Sequence, residues 1–245
     1  MDQNKIKAMT EGGKRLAEVK RQILEYSQTE TSTKAIDDKA EYLIKKIDGE
    51  PSFKMVPGYS WSSCININDS IVHGIPGEDL KEGDLVTIDM GFYFKGFHTD
   101  SAMSFVVGDK DEKKKRFIAA GKKVLKKTIS QAKKGKTIRD LSKTMQKGIE
   151  SAGYSAVREL TGHGVGRELH MPPSIPCFVS NSSDMSIKME PGMTLAIEVM
   201  YAEGDWPLSV DSDGWTMRTK DGKLSAVVEE TVLVTDSRPI ALTAL

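Results

Sequence analysis

The sequence predicts a mixed α and β fold in which two related halves share one interior. The hydrophobic period gives two helices then strands, and this order occurs twice along the chain. A residue-level echo accompanies it: Gly83-Asp84-Leu85-Val86-Thr87-Ile88-Asp89 and Gly192-Met193-Thr194-Leu195-Ala196-Ile197-Glu198 each run from a turn glycine to a carboxylate at the same offset. The third observation is that acids interrupt segments that otherwise read as buried strands. These are Asp89 within residues 85–90, Glu198 within 195–200, and Glu229-Glu230 within 226–234. Strands disfavour acidic residues and apolar cores exclude unpaired charge. Several anions converging on one interior are tolerable with a cation between them, which points to a metal site. No low-complexity linker divides the halves, so residues 1–245 read as a single domain.

The elements follow in order from local pattern. Residues 3–27 form one lysine-rich helical segment, and Thr33 is the expected cap of a second helix with the apolar stripe Ile36, Ala40, Leu43, Ile44 and Ile47. From Pro51 to Phe105 the period shortens, and Gly, Pro and Asn punctuate strand-like runs such as Cys64-Ile65-Asn66-Ile67-Asn68. Residues 113–134 return to helix, with Phe117, Ile118, Gly121, Val124, Leu125, Ile129 and Ala132 on one side, and Gly135 is the expected stop. Thr137 caps a further helix through Ile138, Leu141, Met145 and Ile149, with Asp140 placed to neutralise its first amides. Strands resume from Tyr154.

Composition excludes several classes of function. The 245 residues are 38% hydrophobic and 29% charged, and 35 basic residues balance 35 acidic ones, so the whole chain makes no electrostatic case for nucleic acid or membrane surfaces. Its two cysteines, Cys64 and Cys177, are far apart and form neither a CxxC pair nor a disulfide framework, which fits a reducing cytoplasm. The N-terminus has no apolar signal region, and no stretch approaches the roughly 20 apolar residues of a membrane helix.

Strand geometry relates the first two acids. Lys95-Gly96 reads as a two-residue turn, and pairing Phe94 with Phe97 sets Asp89 opposite Ala102. Asp100 then shares the face of Ala102 and becomes the diagonal neighbour of Asp89, about 7–8 Å away. His98, near the start of the second strand, is expected to point away from the acids. Two of the four histidines lie in Thr161-Gly162-His163-Gly164-Val165-Gly166-Arg167-Glu168-Leu169-His170, where glycines let backbone pass close to a bound group. At Glu229-Glu230 alternation lets only one face inward. Periodicity leaves open which, because Val227 and Leu233 lie on one face while Val228, Val232 and Val234 lie on the other.

Taken in order, Asp89, Asp100, His163, Glu198 and Glu229 resemble the five-ligand metal set of the methionine aminopeptidases. The similarity spans nearly the whole chain. It extends to His73-Gly74-Ile75-Pro76, Gly162-His163-Gly164-Val165-Gly166-Arg167, Glu190-Pro191-Gly192-Met193 and Asp213-Gly214-Trp215-Thr216. The resemblance implies a pita-bread α/β fold, with a central curved, mostly antiparallel sheet covered by helices. It implies the type I form, with no insertion between Glu198 and Glu229 and no N-terminal zinc-finger extension. It further implies two divalent metals (Mn, Fe, Co or Zn), with Asp89 on one, Asp100 and Glu229 bridging, and His163 and Glu198 completing the second. Glu198 would be the proton acceptor, His170 would stabilise the oxyanion, and His73 would orient the substrate amide. Tyr59, Cys64, Leu169 and Trp215 would form the methionine pocket. The substrates implied are peptide and nascent-chain N-termini with a small second residue, so Met1-Asp2 of this chain should retain its own methionine.

Five positions depart from the family pattern. Glu230 replaces a histidine, Val227 and Val228 replace a Gln and aromatic pair, Met171 lacks the expected glutamate, and Val199 stands in place of proline. None removes a ligand. The competing readings are a Xaa-Pro aminopeptidase or prolidase of the same fold and a noncatalytic interaction protein. The first is disfavoured by the lack of the additional N-terminal domain such enzymes generally carry, and the second by five filled ligand positions. The lysines at 113, 114, 115, 122, 123, 126 and 127 read as a solvated helix face, with a transient ribosome contact as their other use. No stable nucleic-acid complex and no membrane contact are expected.

Overall fold

The computed structural model describes residues 2–245, apart from the side chain of Asp109; Met1, on which the expected methionine retention falls, lies outside the described residues. The first half comprises α1 (Gln3–Tyr26), α2 (Thr33–Lys46), β1 (Glu50–Pro51), β2 (Ser63–Ile67), β3 (Ser70–Val72), β4 (Leu85–Phe94) and β5 (Phe97–Val106). The second comprises α3 (Glu112–Ile129), α4 (Ile138–Ser151), β6 (Ser155–Ala156), β7 (Thr161–Gly164), β8 (Met171–Pro176), β9 (Thr194–Ala202), β10 (Leu208–Val210), β11 (Met217–Thr219), β12 (Ser225–Leu233) and β13 (Ile240–Ala241).

Each helix pair covers the strands of its own half. Leu16, Val19 and Ile23 of α1 and Ile36, Ala40 and Ile44 of α2 pack on Val86, Ile88, Met90 and Phe92 of β4. Phe117 and Val124 of α3 and Leu141, Met145 and Ile149 of α4 pack on Leu195, Ile197 and Val199 of β9 and Val228 and Val232 of β12. Thr137 stands at the N-cap as expected, and Asp140 reaches back to accept from Thr137 N at 2.9 Å, closing a capping box. Two predicted boundaries are corrected. Ser32, not Thr33, caps α2, accepting from Ala35 N, because the Thr33 hydroxyl is taken by the amides of Gly77 and Glu78. α3 stops at Ser130 rather than Gly135, since tight turn bonds from Gln131 N to Thr128 O and Ala132 N to Ile129 O replace the α ladder.

Among the described residues all strand pairs are antiparallel, and in hydrogen-bonding terms they form three sheets. One orders β1-β4-β2 with β5 on β4; the largest orders β13-β12-β9-β7-β8 with β6 on β9; and β10-β11-β3 form the third. The first two meet along β5 and β12, which share no ladder among the described residues. Side chains cross this seam instead. Thr231 Oγ1 accepts from Asp100 N and donates to Asp100 O, both at 2.8 Å, while Ser101 and Ser104 donate to the carbonyls of Glu229 and Val227 at 2.7 Å.

Candidate metal centre

The β4–β5 hairpin has the predicted register. Phe94 pairs with Phe97, Asp89 stands opposite Ala102, and Asp100 stands opposite Gly91. Across the seam, Glu198 of β9 lies directly opposite Glu229 of β12. Like charges in that relation are destabilising unless something lies between them. β7 lays His163 beside Ala196 of β9, which brings its ring to the same place. Gly162 and Gly164 flank it for a reason other than the one expected. A Cβ on Gly162 would meet the Ala196 carbonyl at 2.6 Å, and one on Gly164 the Pro172 carbonyl at 2.3 Å, so these glycines admit neighbouring strands rather than a bound group.

His163 Nε2 lies 3.8 Å from Asp100 Oδ2 and 4.0 Å from Glu198 Oε1. One donor atom each from Asp100, His163 and Glu229 fall within 4.8 Å of one another, a spacing that one divalent cation with bonds of about 2.0–2.2 Å can draw together. His163 Nδ1 is 2.9 Å from the Gly164 carbonyl. A carbonyl only accepts, so Nδ1 carries the proton and the Nε2 lone pair faces the acids.

Asp89, Asp100, His163, Glu198, Glu229, His73 and His170 all line one cleft of about 130 Å³. Tyr59, Cys64 and Trp215 line it too, and the Tyr59 ring packs edge-on to Trp215 at 5.1 Å. Leu169 does not. It packs with Phe53, Tyr59 and Cys64, with Trp215 against the same cluster, directly behind the cleft wall. Sequence reasoning missed Phe53, Val56, Val72, Leu160, Thr161 and Met200. Met200 carried a signal, being two residues on from Glu198 on the same strand face. His98 lies two residues before Asp100 and so on the same strand face, yet it does not line the cleft, because Ser52 occupies its Nδ1 at 2.9 Å. Glu230 also points away from the cleft, toward Lys20 of α1.

Burial dominates the electrostatics. It raises the Asp89 carboxyl to about 7 and pushes Asp100, Glu198 and Glu229 well above the usual carboxylate range, with the neighbouring acids adding repulsion. Burial and then the nearby His170 lower His163 to about 4, keeping the imidazole neutral and able to donate a lone pair. Asp89 Oδ1 and Glu229 Oε1 are buried without a hydrogen-bond partner. Orphaned carboxyl oxygens, held protonated by burial and beside a neutral imidazole, are what a cation would ionise and satisfy, so the donor set fits a divalent metal.

Residues 7–236 match the model of metallopeptidase family M24. The methionine aminopeptidase of Clostridium perfringens is 37% identical, covering 100% of this chain and 98% of that protein. Methionine aminopeptidase 1 of Bacillus subtilis is 36% identical over 94% of this chain and 92% of its own. Among solved structures, the methionine aminopeptidase of Thermotoga maritima overlays with a TM-score of 0.95 at 35% identity, covering 100% of this chain and 98% of that one. The prolidase of Pyrococcus horikoshii shares the pita-bread fold, with a TM-score of 0.79 at 22% identity over 99% of this chain and 62% of its own. The chain belongs to metallopeptidase family M24 and, within it, to the methionine aminopeptidases.

Proposed function

We propose that this chain removes the N-terminal methionine from peptides and nascent proteins whose second residue is small. The observation that carries this reading is the convergence of acids from both halves, with His163, on one cleft in a chain of this family. Asp89, Asp100, His163, Glu198 and Glu229 would hold two divalent ions of the Mn, Fe, Co or Zn kind. When bound, the ions supply Lewis acidity to the attacking water and to the scissile carbonyl.

The remaining steps belong to side chains. Glu198 accepts the proton of the attacking water and returns it to the leaving amine. His170 packs against the His163 ring at 4.5 Å, and burial lowers its pKa, so it meets the developing oxyanion as a neutral donor. His73, kept neutral by burial and then by His170, orients the amide of the second residue. Asp89 receives the substrate's free amine, which accounts for a requirement for an unblocked N-terminus. Tyr59, Cys64, Leu169 and Trp215, with Phe53 beside them, form the pocket for the unbranched methionine side chain.

We read residues 1–245 as one catalytic unit, because each half supplies acids to the same site. No helix of the described residues is long and apolar enough to cross a membrane. A cytoplasmic location fits nascent-chain substrates, and a transient ribosome contact through the lysine face of α3 would bring the cleft to them. The test is release of methionine from Met-Ala-Ser compared with cleavage of Xaa-Pro peptides. Methionine release is expected, and cleavage of the proline substrates alone would contradict the reading.

A further inference from the structure

The seam carries charge on both of its faces. On the cleft side stand Asp100 and Glu229, 3% and 2% exposed. On the other side Lys20, from the middle of α1, is 1% exposed. Its ammonium donates to Ser101 Oγ at 2.6 Å, to the Thr243 carbonyl at 3.2 Å and to Glu230 Oε1 at 3.3 Å. Three acceptors satisfy its three donors. The Ser101 hydroxyl that receives Lys20 is the one that donates to the Glu229 carbonyl, with Glu230 Oε2 a longer acceptor at 3.2 Å. Thr243 Oγ1 donates to Glu230 Oε2 and accepts from Thr231 N at 3.0 Å.

This arrangement is more than the fold needs. A buried ion pair is often no more stabilising than well-packed apolar residues of the same volume, so stability alone does not explain a lysine at the centre of an otherwise apolar helix stripe. The charged cluster has a specific position. Ser101 follows Asp100 on β5, and Glu230 follows Glu229 on β12, so strand alternation turns each toward α1 as its neighbour turns toward the cleft. Among the described residues no ladder fixes the spacing of β5 and β12; side-chain bonds do. Lys20 bonds to both strands at once.

We propose that Lys20 and Glu230 are positioning residues for the metal centre: through Ser101 and Thr243 they hold the backbones of Asp100 and Glu229 at the separation at which both carboxylates reach one cation. The proposal rests on the metal-site reading above. It gives Glu230, which departs from the family pattern, a role paired with Lys20.

The experiment titrates Mn²⁺ into metal-stripped wild type, Lys20→Met, Glu230→Gln and Asp100→Ala by calorimetry, with kcat and KM on Met-Ala-Ser and melting of the metal-free proteins. The expected result is Mn²⁺ affinity about 10–100-fold weaker in Lys20→Met, as for other residues that orient metal ligands. A smaller loss is expected in Glu230→Gln, which keeps the shape of the side chain and one acceptor oxygen for Lys20 while removing the charge. kcat should fall with little change in KM, because the substrate pocket is untouched. Unchanged Mn²⁺ affinity in folded Lys20→Met, whatever its melting temperature, would overturn the proposal and leave the pair as a stabilising contact. Should Lys20→Met fail to fold, Thr243→Val carries the same expectation and the same refutation. Binding by wild type, lost in Asp100→Ala but intact in the other variants, would overturn the positioning role alone. No binding by wild type would overturn the metal site and this proposal together.

Discussion

The two halves use one scaffold and place their acids on it differently. In the first, Gly83 N donates to Val107 O and Val107 N returns to Asp84 O; in the second, Gly192 N donates to Val234 O and Val234 N returns to Met193 O, all at 2.9 Å. These matching bonds align the halves without reference to the site. Asp89 and Glu198 then coincide, each at the same distance along the chain from its turn glycine, Gly83 or Gly192. On the return strands the match breaks: Asp100 corresponds to Val227, and Glu229 to Ala102. The first half has an alanine opposite its acid and a second acid on the diagonal, whereas the second half sets Glu198 and Glu229 face to face. The difference teaches that the repeat supplies frame and position, while the donor set is made by departures from the repeat.

Breaking the asymmetric positions should have the largest effect. Asp100→Ala and His163→Ala are expected to lower kcat/KM on Met-Ala-Ser well beyond the roughly 10–100-fold typical of residues that only orient ligands, with stoichiometric metal binding lost in calorimetry. The aligned acids should separate by role. Glu198→Gln is expected to lower kcat at fixed saturating metal by about 10²–10⁴-fold, the usual range for a positioned general base. Asp89→Asn should act through metal affinity and amine binding, so excess metal should restore part of its kcat while KM stays raised, and should restore little of the activity of Glu198→Gln.

A smaller effect concerns pH. In the metal-free protein the four acids have raised pKa values, Asp89 at about 7, so above their unfolded values near 4 the unfolded chain binds fewer protons and stability falls as pH rises. His163 and His98, lowered to about 4, act in the opposite sense up to the unfolded histidine value near 6.5. The sign is therefore clear above that point. The melting temperature of stripped protein should fall from pH 6.5 to 8, and bound metal should remove the fall. The smallest change is Ser104→Ala, which deletes one seam hydroxyl and leaves the buried Val227 carbonyl short of its donor. It should cost about 1–3 kcal/mol in urea unfolding, with Mn²⁺ affinity close to wild type, because Ser104 lies further along the seam from the acids than Ser101.

Much of this was legible in the sequence because it is local. The Lys95-Gly96 turn set the hairpin register and placed Asp89 and Asp100 on one face, and the glycine-to-acid echo revealed the duplicated frame. The choice between Glu229 and Glu230 was not legible from periodicity. β12 is covered on both faces, by the cleft on one and by helices on the other, so apolar residues line it on each side. The cap of α2 was misplaced because Ser32 and Thr33 are adjacent hydroxyls, and only the Gly77–Glu78 loop decides between them. The apolar cleft wall at Phe53, Val72 and Leu160 comes from separate segments that no sequence period connects. Lys20 read as one lysine among many on α1, and its burial depends on contacts some 80 and 210 residues away.

The central claim is that acids from the two unlike halves meet to hold a catalytic metal. Its most direct measurement is methionine release from Met-Ala-Ser by metal-stripped protein before and after adding Mn²⁺. The account predicts no release before addition and turnover after it. Full activity in the stripped protein, or none after reloading with Mn²⁺ shown to be bound, would contradict it.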